Sequence, residues 1–172
     1  NAKYVQKLIN LVEPHFVFAN KPLNRFKKII KNELNNFTFK REKLLALKKK
    51  INSIENCNLR ENSKNLIMGD GDIDSSVMLI GEAPNEIENQ KGLPFQGDVG
   101  NLLNKMLLAI DIKREKIYLT YSINYRPPED RKPTAKEIRR YSVFLKEHIS
   151  IINPKIIILM GSTAMEAVLG IN

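Results

Sequence analysis

Val77-Met78-Leu79-Ile80-Gly81-Glu82-Ala83-Pro84-Asn85 runs a short apolar stretch into a glycine, a carboxylate and a proline. Such a run reads as a buried strand, and the residues after it read as a strand-end loop. Downstream, Leu102, Leu103, Met106, Leu107 and Ile110 predict one apolar face of a helix over about 98–110. Ile117 to Ser122 reads as a second strand, after which Arg126-Pro127-Pro128 imposes an extended loop. Thr134 followed by Glu137 fits a capping box that opens a helix to about Ile152. Ile156 to Met160 is a third strand, and Gly161-Ser162-Thr163-Ala164 leads into a last helix. Strands alternating with helices predict an α/β fold of three layers, its central parallel sheet joined by right-handed crossovers.

Upstream the character changes. Val5, Leu8, Ile9, Val12 and Phe16 predict a helix over 3–18, and further helical patterns cover about 23–34 and 41–55. Gly69-Asp70-Gly71-Asp72 marks turns. The boundary is expected near 52–56, with a basic, mainly helical extension over 1–55 and the α/β domain over 56–172. Residues 1–50 carry 13 Lys and Arg against 3 acids, whereas 51–172 carry 15 against 16, so the whole excess sits in the extension. Phosphates could use that excess as a sequence-blind contact. Equally, the lysines are solvated helix faces in a chain rich in Lys, Asn and Ile.

The single cysteine, Cys57, excludes an internal disulfide framework and cannot by itself hold a metal or cluster. Apolar runs such as Ile156 to Met160 are too short to span a bilayer. Lys3, Lys7 and Glu13 interrupt any secretory pattern, so a soluble, cytoplasmic protein is expected.

Parallel sheets bind ligands beyond the carboxyl ends of their strands. Three loops qualify: 81–98, 122–133 and 161–163. In the first, Gly81, Pro84, Gly92, Pro94 and Gly97 give an irregular backbone that can aim several amides at one ligand. Glu82 and Phe95 bracket it, a carboxylate and an aromatic suited to stacking a flat ring and stabilising positive charge. In the ordinary alternative, Glu82 caps a turn and Phe95 belongs to the core. Gly161, Ser162 and Thr163 suit an anion at a helix start, although any strand-to-helix turn favours these residues. The Arg126–Pro133 loop presents three cations, Arg126, Arg131 and Lys132, that could track a nucleic-acid backbone. His15 and His148 lie away from these loops and receive no catalytic role.

Taken in order, these segments resemble the bacterial family-4 uracil-DNA glycosylases. The resemblance runs from about Asn65 through Gly170. It is carried by Gly81-Glu82-Ala83-Pro84, Gly92-Leu93-Pro94-Phe95-Gln96-Gly97, Gly100-Asn101-Leu102-Leu103 and Ile117-Tyr118-Leu119-Thr120. Further along it rests on Arg126-Pro127-Pro128, Pro133-Thr134, Glu137-Ile138, Phe144-Leu145, Pro154 to Ile158 and Gly161-Ser162-Thr163-Ala164. It implies a base-excision enzyme that flips uracil out of DNA and hydrolyses its N-glycosidic bond. By the same resemblance, Glu82 orients water or stabilises the sugar cation, and Ala83 stands where other glycosylases place a water-activating Asp. Gly81, Asn85, Phe95 and Tyr121 form the base site, with Phe95 the stacking aromatic. Gly161, Ser162, Thr163 and Arg126 hold DNA phosphate. The implied partner is DNA containing uracil or abasic sites, bound by a monomer with no membrane contact.

The chain departs from the family pattern at several points. Asn85 replaces a motif glycine, and Tyr121 replaces the uracil-reading Asn, trading a side chain that donates and accepts for a larger phenol. Many members hold a four-iron, four-sulfur cluster on four cysteines. Here Cys57 matches one, while Ile54, Tyr125 and Tyr141 stand at the others, so no cluster and no other cofactor is expected. Asn172 precedes the family's His-Pro-x-Tyr-Leu-Leu-Arg motif. The 172 residues alone are therefore expected to be weak or inactive in excision. Two other readings stand beside the enzyme: a catalytically decayed homologue that binds DNA or scaffolds repair and replication proteins, and a small nucleotide-binding module.

Overall fold

The computed structural model describes the backbone from Arg25 to Gly170 and side chains from Phe37. The helix expected over 3–18, and His15 with it, lie outside the described residues. The chain forms two compact units, 1–35 and 36–172, and the architecture below is that of the second.

Helix α1 (Arg25–Asn52) is continuous across the two patterns read separately at 23–34 and 41–55. No proline or glycine interrupts residues 25–52, so nothing breaks the intervening turn. Leu47 and Ile51, one turn apart, are 0% and 1% exposed. Part of the sequence read as extension thus contributes to the core of the unit that begins at Asn36. A short helix, α2 (Asn58–Glu61), follows.

Four strands make the sheet: β1 (Asp70–Gly71), β2 (Val77–Gly81), β3 (Tyr118–Tyr121) and β4 (Ile156–Leu159), in the order β1-β3-β2-β4. β2 runs parallel to both neighbours, with Leu79 opposite Leu119 and Ile158, and Gly81 opposite Tyr121. β1 pairs antiparallel to β3 through Asp70 opposite Leu119. The Gly69–Asp72 stretch reads as turns in sequence, but Gly71 permits close backbone approach here. A Cβ on Gly71, whose φ is +100°, would lie 1.9 Å from the Ile117 carbonyl oxygen.

Period-two alternation divides the strands between two cores. Met78, Ile80 and Tyr118 face one, together with α1, α5 (Ala135–Ile152) and α6 (Ser162–Leu169). Leu79, Leu119 and Tyr121 face the other, with Phe95 and α4 (Gly97–Leu108). The result is a three-layer α/β unit with a mostly parallel sheet. Helix α4 buries a narrower stripe than its pattern predicts. Leu103 and Leu107 are buried, whereas Leu102, Met106 and Ile110 are 60%, 56% and 64% exposed. Leu103 and Leu107 are one turn apart and take the sheet-facing stripe, leaving Leu102 and Met106 on the stripe beside it.

The capping box at Thr134 and Glu137 forms as read from the sequence. The Arg131 guanidinium beside Glu137 holds its carboxyl down at about 2. Among the described residues no helix is long and apolar enough to cross a membrane.

Candidate active site

The carboxyl ends of β2 and β3 and the turn after β4 converge. Gly81 ends β2 because a side chain has no room there: a Cβ would lie 2.7 Å from Tyr121 Cε1 and 2.8 Å from Phe95 Cζ. Those two rings stack with centroids 4.8 Å apart and planes at 27°. Phe95 is 4% exposed and Tyr121 5%. Glu82, next in sequence, points the other way. Its Oε1 accepts the Thr163 amide at 2.9 Å and the Ser162 hydroxyl at 3.4 Å. The start of a helix such as α6 is a favourable place for a carboxylate. Gly161, at φ +100°, admits Glu82 because it lacks a Cβ, which would sit 2.4 Å from the Glu82 carboxyl carbon. Lys132 donates to the Ser162 hydroxyl at 2.8 Å. Thr163 Oγ1 is buried beside this network without a hydrogen-bond partner in the protein.

Helix α3 (Glu86–Lys91) starts with a second capping box. Asn85 Oδ1 accepts the Glu88 amide at 3.1 Å, and Glu88 Oε2 accepts the Asn85 amide at 2.8 Å. Glu88 is 1% exposed. Its other oxygen accepts the Gln96 amide at 3.1 Å and the Tyr121 hydroxyl. The Tyr121 hydroxyl in turn accepts the Phe95 amide at 3.1 Å. Burial first, then the bond to Glu88, raises the Tyr121 pKa well above the ordinary phenol, so it stays protonated.

Gly81, Glu82, Phe95, Tyr121, Gly161, Ser162 and Thr163 therefore meet at one strand end. Ala83 follows Glu82 and packs against the first core. Asn85 is occupied in capping α3. Arg126 pairs with Glu86 and Asp130, at the start of α3 rather than of α6. The cation that reaches Ser162 is Lys132, from the same loop. Sequence reasoning passed over Glu88, although Asn85 with Glu88 three residues later spells the capping box that signals it.

The four positions of the family cluster also meet, in the first core. Cys57 Sγ lies 3.2 Å from the Tyr141 hydroxyl, and the Tyr125 and Tyr141 rings pack edge to face at 6.4 Å. Tyr125 donates to Asn52 Oδ1 at 2.6 Å, and Ile54 fills the same cluster. One thiol, two hydrogen-bonded phenols and an alkyl chain do not fit a cluster that needs four thiolates. We expect the purified protein to be colourless, with its melting temperature unmoved by iron chelators. Stoichiometric iron with visible absorbance would contradict this.

The α/β unit thus carries a carboxylate, Glu82, and a stacked aromatic, Phe95, at the end of its central strand β2. A family model for the Uracil DNA glycosylase superfamily matches residues 68–172. The chain belongs to that superfamily. It is 35% identical to a type-4 uracil-DNA glycosylase of Thermotoga maritima over 74% of its own length and 67% of the relative's. Identity to the type-4 enzyme of Archaeoglobus fulgidus is 34%, over 73% and 63% of the two chains. For that of Sulfurisphaera tokodaii it is 36%, over 70% and 55%. The chain thus spans between about half and two thirds of the length of these relatives.

Proposed function

We propose that this protein is a cytoplasmic uracil-DNA glycosylase of the type-4 kind, needing no metal cofactor. It would hydrolyse the N-glycosidic bond of uracil flipped out of DNA and leave an abasic site. The observation that carries this is that Glu82 and Phe95 both lie at the carboxyl end of β2, Phe95 against Gly81 and Glu82 against Gly161 and the Thr163 amide.

Extrusion of the nucleotide is needed because its glycosidic bond is out of reach inside a duplex. As that bond breaks, the electron pair leaves with uracil and positive charge grows on the sugar. Ala83 carries no group that can take a proton, so activation of water by a side chain at that position is ruled out. Glu82 instead would supply the carboxylate that stabilises the sugar cation, a role supported by its fixed position on the Thr163 amide. Such preorganised charge needs no rearrangement as the bond breaks. Water then adds to the sugar carbon, and its proton goes to solvent or to the departing base. A neighbouring DNA phosphate would be met by Lys132, since Glu82 already takes the Ser162 hydroxyl and the Thr163 amide and Arg126 is held by Glu86 and Asp130.

The test is release of free uracil from a deoxyuridine-containing single-stranded oligonucleotide, followed by strand scission at abasic sites. Slow uracil release, small but above the protein-free control, is expected of these 172 residues, with no release from the matched thymidine strand. DNA binding without any release would favour the non-catalytic homologue, a reading supported by the Tyr121 ring that covers Phe95.

A further inference from the structure

Two groups on Phe95 suit a flat heterocycle that bears a carbonyl: the ring face, for stacking, and the backbone N–H, as donor. Both are taken. The Tyr121 ring lies on that face at 4.8 Å, and the Tyr121 hydroxyl accepts the Phe95 N–H at 3.1 Å. The same hydroxyl donates to buried Glu88, which the Asn85 and Gln96 amides also hold. With Phe95 4% and Tyr121 5% exposed, the stack leaves no face on which a base could lie.

Phe95 is the anchored partner of the pair. Its φ of 52° is a left-handed conformation that costs a non-glycine residue energy and persists only where its surroundings enforce it. Arg114 enforces it by donating to the Pro94 carbonyl at 2.7 Å and the Phe95 carbonyl at 3.2 Å. Gly100 closes the other side, since a Cβ there would lie 1.9 Å from the Phe95 oxygen. Tyr121 has no such backbone lock: it ends β3, and its ring is held by two hydroxyl bonds and the stack.

We propose that Tyr121 is the gate of the base slot. Its side chain stands in for the base, and a flipped base stacks on Phe95 only after Tyr121 has left. This makes Tyr121 a specificity-determining residue that competes with the base, not one that reads it. The inference rests on uracil recognition as the function proposed above. Its quantitative consequence is that apparent affinity for the base falls by the fraction of molecules whose slot is open.

The sign of a nearly isosteric substitution separates a gate from a reader. Tyr121→Phe keeps the ring but deletes both hydroxyl bonds, so the gate loosens. Tyr121→Asn removes the ring altogether. The measurement is the affinity of each folded chain for a single-stranded oligonucleotide carrying one deoxyuridine, relative to the same strand carrying thymidine. That ratio removes the sequence-blind phosphate contribution. We expect the uracil preference to rise in Tyr121→Phe and to rise at least about tenfold over the wild type in Tyr121→Asn. A preference that falls in Tyr121→Phe overturns the gate, because the hydroxyl then reads the base. A wild-type preference that neither substitution moves also overturns it and leaves uracil recognition standing. No preference in any of the three chains overturns the gate together with uracil as the ligand. Tyr121→Phe changes one atom of a buried ring and keeps the comparison decisive if Tyr121→Asn does not fold.

Discussion

Glu82→Gln should lower uracil release by about 100- to 1,000-fold, the usual cost of losing a preorganised electrostatic contact to the transition state. The fold should tolerate it well. Glutamine keeps an oxygen that can accept the Thr163 amide at the distance Glu82 Oε1 now holds, 2.9 Å. What disappears is the negative charge, and with it the attraction for a sugar becoming cationic. Melting temperature and DNA affinity should therefore stay close to the wild type while kcat falls. Because a phosphate at the same helix start would be repelled by Glu82, DNA affinity is expected to rise slightly if it changes at all. A Glu82→Gln chain that excises uracil at the wild-type rate would remove Glu82 from the chemistry and leave it a cap of α6.

A second large effect concerns acid. His148 is 1% exposed on α5, and its Nε2 pairs with the Tyr118 hydroxyl across 2.9 Å. Burial pushes its pKa down from 6.5 to about 4. The unfolded chain therefore binds a proton that the folded chain refuses between those two values. Stability is complete above pH 6.5, declines as pH falls, and has lost its His148 share below pH 4. At 1.36 kcal/mol per pKa unit the share is roughly 3 kcal/mol. Glu137, held at about 2, adds its own loss only from about pH 4.5 downward, so the two windows are nearly separate. Urea unfolding at pH 7.5 and at pH 4.5 should show the drop. In His148→Phe the step should shrink, from a lower plateau, because the Tyr118 hydroxyl then lacks its partner. Equal unfolding free energies at the two pH values in the wild type would contradict a buried neutral imidazole.

Local rules made much of this legible. The Thr134–Glu137 box, the apolar strands read at 77–80 and 156–160, and the loop at the end of β2 follow from short-range chemistry, and the structure carries them out to within a residue. The parallel order follows from alternation of strands and helices. Long-range choices were less visible. Nothing in the spacing of Leu102, Leu103, Met106 and Leu107 says which pair meets the sheet. Asp70 and Gly71 carry no strand propensity, and they pair with β3 because glycine lets the backbones approach. At the site, the loop singles out Glu82 and Phe95 as candidates, and the ordinary alternative read beside it is what the fold displays: Glu82 caps a helix start and Phe95 lies in a core. Glu88 could not be assigned its second task, since a capping glutamate gives no sign that its other oxygen is turned onto Tyr121. For the same reason Tyr121 reads as a base contact in sequence, while its hydroxyl is already engaged on both sides in the fold.

The most direct measurement is a crystal structure of this chain bound to single-stranded DNA carrying a 2′-fluorinated deoxyuridine, whose glycosidic bond resists cleavage. The uracil ring is expected to stack on Phe95, with the Tyr121 ring displaced from it and the Glu82 carboxylate beside the sugar. A complex with the extruded base bound elsewhere on the protein, and the Phe95–Tyr121 stack intact, would contradict this.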